Sequence, residues 1–147
     1  ALVTGASRGI GESIAKLMAE QGAHVIVSSR KLDDCQLVAD AIISDGGSAE
    51  AVACHVGNMD DISNCFAHIK QAHGKLDILI NNAGILRDKS FKNMTLDEWD
   101  LVINVHLMGS AYVTWHAWPK SCLAPIWHWM FWIETPPETH FQTWIGR

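Results

Sequence analysis

The sequence predicts an α/β protein built on a parallel sheet with helices on both faces. Three observations carry that prediction. A glycine-rich turn joins an apolar run to a helical pattern at the start of the chain. Short apolar runs then alternate with amphipathic helical patterns, and an Asn-Asn-Ala-Gly turn closes the fourth run. Successive strands separated by a helix must pair in parallel, because the crossover returns the chain to the same end of the sheet.

The first run is Ala1-Leu2-Val3. It is followed by Thr4-Gly5-Ala6-Ser7-Arg8-Gly9-Ile10-Gly11, which opens a helix with Ile10, Ile14, Leu17 and Met18 expected on one face. Gly5 would permit a tight turn off the strand and Gly9 the approach of a phosphate to bare backbone. Gly11 would let the helix lie close to the sheet. Unpaired amides of the first helical turn would then face a pyrophosphate. Strand, glycine turn and helix together form the setting that a dinucleotide-binding loop requires.

Gly22-Ala23 breaks the helix, and the β-branched run His24-Val25-Ile26-Val27-Ser28-Ser29 reads as a buried parallel strand. Residues 32–44 read as a helix with Leu37, Val38, Ala41 and Ile42 inward, stopped by Gly46-Gly47. A third strand is expected over residues 49–54. Asp60 or Asp61 is expected to cap a helix carrying Ile62, Cys65, Phe66 and Ile69, which ends near Gly74. Residues 76–80 read as the fourth strand, closed by Asn81-Asn82-Ala83-Gly84. After a loop over residues 85–94, Thr95 and Glu98 form a capping box. The helix it opens carries Trp99, Val102, Ile103 and Leu107 and runs at least to Met108.

Composition changes near residue 115. Six of the seven tryptophans and all four prolines fall beyond residue 114, and no glycine lies between Gly109 and Gly146. Residues 1–114 are therefore read as one nucleotide-binding domain and residues 115–147 as a Trp/Pro-rich tail. Pro119, Pro125 and Pro136-Pro137 interrupt helix and central-strand readings there. The tail's apolar density favours packing on the domain, a partner or oligomer contact, or aggregation.

The 147 residues suffice for one domain with a real core, and 18% charged residues is a globular composition. A net charge of −5 argues against nucleic acid as the main partner. Cys35, Cys54, Cys65 and Cys122 form no CxxC pair; buried thiols in a reducing compartment, cytoplasm or peroxisome, are the expectation. No run reaches the roughly 18 apolar residues of a membrane span, and no signal peptide is visible. Because the chain opens almost inside its first strand, residues upstream are expected.

The TGxxxGxG spacing from Thr4 to Gly11 resembles the short-chain dehydrogenase/reductase family, as does Asn81-Asn82-Ala83-Gly84 at its distance from the glycine loop. The resemblance covers residues 1–114. It implies a Rossmann-like sheet, here truncated after the fourth strand and following helix, and interconversion of an alcohol and a carbonyl on a small-molecule substrate. It also implies cofactor contacts from Gly5, Ser7, Arg8, Gly9, Ile10, Gly11, Ser29, Arg30, His55, Val56, Asn82, Ala83 and Gly84. Asn104 resembles the asparagine of the catalytic tetrad, which helps hold a water in the proton relay. Residues 87–104 are similar to the dehydrogenase part of peroxisomal multifunctional hydroxyacyl-CoA enzymes, and residues 28–56 to carbonyl and retinal reductases.

Charge decides the coenzyme expected. Where NAD-preferring sheets carry an acid at the end of the second strand, this chain has Ser29, followed by Arg30. A guanidinium there can hold a 2′-phosphate bidentately, and Arg8 adds a second cation, so NADP(H) is preferred, with NAD(H) second. His55 stands where many relatives have an aspartate at the adenine edge, and Val56 is expected to pack against the ring.

The family's serine, tyrosine and lysine, which provide positioned acid/base chemistry, are not matched. Tyr112 is the single tyrosine, His116 stands four residues on, and Ser110 precedes it by two. Ser121 has no following tyrosine, and Lys120 lacks its tyrosine partner four residues before it. The dehydrogenase pattern is expected to stop near residues 117–120, leaving this chain incomplete and without hydride transfer. An interaction module using the tryptophans is the rival reading. No metal site is expected: His55 stands alone, and the gaps between His116, Cys122, His128 and His140 match no compact zinc motif. Single-stranded RNA binding is disfavoured by the tail's few cations.

Overall fold

The computed structural model describes residues 1–118. Four strands, β1 (Leu2–Thr4), β2 (His24–Ser29), β3 (Ser48–Ala53) and β4 (Leu79–Ile80), form one sheet in the order β3-β2-β1-β4. Every pairing is parallel. Helices α1 (Gly9–Glu20), α2 (Leu32–Ser44) and α3 (Met59–His73) make the crossovers. The α/β architecture with helices on both faces is as the sequence predicts.

Period-two alternation sorts the side chains into two cores. Val3, Val25 and Val27 point to the α1–α2 side, where they pack with Ala15, Ala19, Cys35, Val38, Ala39 and Ile42. Leu2, Ile26 and Leu79 point the other way, to Ile62, Cys65, Phe66 and Ile69 of α3. The β2–β3 register pairs His24 with Ser48 and Ile26 with Glu50.

Helix faces depart from the expected ones where small residues do the packing. Ile10 and Leu17 are exposed, and α1 instead buries Gly11, Ala15 and Ala19. Leu37 is likewise exposed, because Cys35, Val38, Ala39 and Ile42 complete the inner stripe of α2. Period alone could not choose between overlapping apolar and small-residue stripes. The cap of α3 is Asn58, whose Oδ1 accepts from the amides of Asp60 and Asp61, so the acids occupy the first turn. There they favour the positive end of the helix dipole. Gly74 closes α3 in the left-handed conformation (φ 72°). The third strand starts one residue earlier than expected. The fourth shrinks to two residues, with Leu76 buried ahead of it.

A 3₁₀ turn (Phe91–Asn93) interrupts the following loop. The Thr95–Glu98 capping box then forms as expected and opens α4 (Leu96–Ile103). A π-helical segment (Asn104–Met108) joins α4 directly to α5 (Gly109–Ala117). Trp99 and Leu107 are exposed rather than inward; Val105, Gly109, Val113 and Ala117 are the buried positions. A Cβ at Gly109 would lie 3.0 Å from the carbonyl oxygen of Val56, so close packing is what this glycine provides. Helix α5 runs on past residue 114. Among the described residues, no helix is long and apolar enough to cross a membrane. Cys35, Cys54 and Cys65 are buried free thiols, while the tail from residue 119, with Cys122, His128 and His140, lies outside the described residues.

Candidate functional site

The carboxyl ends of the four strands open onto one cavity of about 420 Å³. It lies at the end of the sheet where crevices of open parallel sheets hold ligands. From the first strand's turn come Gly5, Ser7, Arg8, Ile10 and Gly11, and from β2 come Ser29 and Arg30. Past β3 follow His55 and Val56, and past β4 follow Asn82, Ala83 and Gly84. Twelve of the thirteen residues expected to contact a cofactor thus line one space; Gly9 is not in the lining.

Hydrogen bonds explain how two loops 78 residues apart are held together. Thr4 Oγ1 donates to the Ile80 carbonyl (3.1 Å) and accepts from the amides of Asn82 (3.0 Å) and Ala83 (3.1 Å). Asn82 Nδ2 donates to the carbonyls of Thr4 (2.9 Å) and Gly5 (3.1 Å). Gly5 (φ 66°) turns so sharply that a Cβ there would come within 2.8 Å of Ala83 Cα. At Gly11 a Cβ would lie 2.5 Å from the Gly5 carbonyl and overlap Asn82 Nδ2. The glycines therefore let the turn, the helix and the Asn-Ala loop meet, and the cavity floor remains backbone. Asn81 Nδ2 adds a bond to Thr114 Oγ1 (2.9 Å), tying this floor to α5.

Charge around the cavity opposes the charge of the chain. Arg8, Arg30, Lys31 and Arg87 line it with one carboxylate, Asp34. Ser29 Oγ lies 3.0 Å from Cys35 Sγ and donates to the Lys31 carbonyl (3.3 Å), and Arg30 and Lys31 supply the cations after β2. Burial pushes the Cys35 thiol up, keeping it neutral. The His55 ring accepts from the Gly57 amide at Nδ1 (3.0 Å), which in the neutral ring leaves the proton on Nε2. Its own amide donates to Asp61 (2.9 Å), fixing the loop after β3.

Asn104 opens the π-helical segment and is not in the cavity lining; its Nδ2 lies 3.5 Å from the Gly57 carbonyl. Tyr112 is half-buried against the α3-side core, and Ser110 donates back to the His106 carbonyl (2.8 Å). Neither reaches the cavity. Sequence reasoning missed Thr4 as the clamp and Lys31, Asp34 and Arg87 as lining. It also missed His106, whose Nε2 lies 2.8 Å from the Ile85 carbonyl behind Gly84. Thr4 stood inside the glycine motif and was legible there; the others depend on loop paths.

A parallel sheet, a glycine turn at the first helix and a cationic crevice at the strand ends define a nucleotide-binding protein of Rossmann type. The model of the short chain dehydrogenase family matches residues 1–122. The chain belongs to that family. It is 38% identical over 119 residues to an uncharacterized oxidoreductase of Staphylococcus aureus strain N315, covering 81% of this chain and 51% of that protein. It is 40% identical over 110 residues to the 3-oxoacyl-[acyl-carrier-protein] reductase of S. aureus strain Mu50, covering 74% and 45%. A metagenomic short-chain oxidoreductase solved in complex with NADP superimposes with a TM-score of 0.75 at 36% identity, over 79% of this chain and 53% of that one. A citronellol catabolism dehydrogenase from Pseudomonas aeruginosa gives 0.77 at 29%, over 82% and 49%. The chain spans about half the length of the curated relatives it matches.

Proposed function

We propose that this chain binds NADP(H) in the crevice at the strand ends, and that its family reaction is the interconversion of an alcohol and a carbonyl. The observation that carries the reading is the cationic cavity with a backbone floor: four basic side chains and one acid, in a chain of net charge −5. The cradle suits a dinucleotide, since a Cβ at Gly11 would fill the junction of the helix, the glycine turn and the Asn82 loop. Gly5, Ser7, Gly9, Ile10 and Gly11 would hold the pyrophosphate against the first turn of α1. Arg30, with Arg8, would hold the 2′-phosphate. His55 and Val56 would border the adenine, and Asn82, Ala83 and Gly84 the inner half of the cofactor. Bound nicotinamide would supply or accept the hydride.

Asn104 is assigned to the proton relay by family likeness alone. With Tyr112 packed on the core and His116 four residues on, these 147 residues on their own are proposed to bind without transferring hydride. Residues 1–114 are taken as the nucleotide module and 115–147 as a tail. Likeness to carbonyl/retinal reductases and to peroxisomal hydroxyacyl-CoA enzymes points to different substrates, as do the relatives' names, so the reading extends to the reaction class. Buried free thiols favour a reducing compartment, cytoplasm or peroxisome.

Calorimetric titration of the folded chain with NADPH and NADH tests the reading. NADPH is expected to bind stoichiometrically and more tightly. Arg30→Asp should weaken NADPH by roughly tenfold or more and leave NADH nearly unchanged. Equal losses for both coenzymes would remove the assignment of Arg30, and carbonyl reduction by the purified chain would overturn the inactive reading. A second reading, a partner-docking module, is favoured by apolar residues exposed between the Asn-Ala-Gly turn and the start of α4: Leu86, Phe91 and Leu96 are each about four-fifths exposed (81, 78 and 79%). Discrete, saturable association lost on deleting residues 121–147 would support the tail's part in it.

A further inference from the structure

The opposite end of the sheet, where the strands begin, carries a second cluster. We propose that His24, Glu50 and His73, with His68 beside them, form a binding site for a divalent transition-metal ion of the zinc type. One ligand atom from each of His24, Glu50 and His73 lies within 4.8 Å of the others. His73 Nε2 is 2.8 Å and His68 Nε2 3.2 Å from the same oxygen, Glu50 Oε1. Three imidazoles and a carboxylate make an N₃O set, the donor chemistry zinc prefers.

The fold places these groups together for a readable reason. His24 and Ile26 share one face of β2, and Ser48, Glu50 and Val52 share that face of β3, by alternation and register. On α3 the buried stripe Ile62, Cys65–Phe66, Ile69 continues one turn further to His73. At this end each of the three elements replaces its next apolar residue with a histidine or a glutamate. A polar pocket therefore closes the α3-side core.

A second observation points to a ligand. His24 Nε2 is buried and has no hydrogen-bond partner among the described residues. Buried imidazole nitrogens ordinarily find one. The other ring nitrogen, Nδ1, lies 2.6 Å from Ser48 Oγ. With Nδ1–H donating to Ser48, Nε2 presents a lone pair, and the serine serves as the outer partner that orients a ligating histidine. Zinc bonds of about 2.0–2.1 Å place tetrahedral ligands ~3.3 Å apart. The His24, Glu50 and His73 atoms would close in from within 4.8 Å, with His68 and His73, both at the surface, turning toward the ion. The site is independent of the nucleotide crevice.

The test uses the full chain, freed of metal with a chelator and shown folded by circular dichroism, then titrated with zinc and separately with cobalt. One zinc per chain is expected, with a four-coordinate cobalt spectrum free of thiolate charge transfer. Glu50→Gln and His73→Asn should each weaken zinc by at least about tenfold. The triple variant Cys122→Ser/His128→Gln/His140→Gln should bind as the parent does. No uptake by the folded chain, uptake unchanged in Glu50→Gln and His73→Asn, or uptake that follows the tail variant would each overturn the proposal.

Discussion

At the scale of single residues, Gly11 and Thr4 do more for the crevice than the charged groups that line it. Gly11→Ala would drive a methyl group into the Gly5 carbonyl and Asn82 Nδ2. Because the Gly5 carbonyl and Ala6 Cα are backbone, and the Asn82 amide is held by two hydrogen bonds to backbone carbonyls, relief requires moving α1 or the Asn82 loop. A loss of about 1–3 kcal/mol in a denaturant titration is expected, with weaker NADPH binding. Wild-type stability and affinity in Gly11→Ala would show that the helix does not need this approach. The glycines were legible in the sequence because their job is set by backbone sterics, which spacing records. The Thr4 network was legible only in part. Its three bonds join positions 4, 80, 82 and 83, and only folding brings those loops together.

At the scale of elements, caps and breakers read better than faces. Glu98 closes the capping box on Thr95 and pairs with Lys89 at 2.5 Å. Its hydrogen bond with Lys89, followed by that with the Thr95 amide, holds the Glu98 carboxyl below its ordinary value. A folded pKa below the unfolded one means stability that is present above the ordinary glutamate range and lost as pH falls through the folded value. Helix α4 should therefore fray on the acid side. Glu98→Gln should flatten that part of the stability–pH curve; an unchanged acid limb would assign the loss to other carboxylates. This box was visible in the sequence because its two partners are three residues apart. The inner faces of α1 and α2 were not, since Ala15, Ala19 and Cys35 pack closely enough to displace Ile10, Leu17 and Leu37. Helical period identifies a stripe without weighing how near the sheet it can lie.

At the scale of the whole molecule, parallel pairing and helices on both faces were implied by the βαβ alternation, while the strand order β3-β2-β1-β4 emerged only in the fold. The end of the sheet that gathers three histidines and an acid was not implied either: His24, Glu50, His68 and His73 come from three elements at spacings no motif describes. The buried positions of the last long helix, Val105, Gly109, Val113 and Ala117, recur every fourth residue. An ordinary α-helix rotates such positions by about 40° at each step, which would wind them off the core. The wide turn at Asn104–Met108 acts as a phase correction, delaying the rotation so that Gly109 still meets Val56 and Ala117 still meets α3's core. Removing one residue from that turn should restore regular winding with α5 still in phase, because five wide-turn residues rotate about as far as four ordinary helical ones. Far-ultraviolet helicity and a sharp cooperative transition would survive, with Val113 still buried. A broadened transition with Val113 accessible would mean that the turn absorbs no residue and keeps no time for the helix.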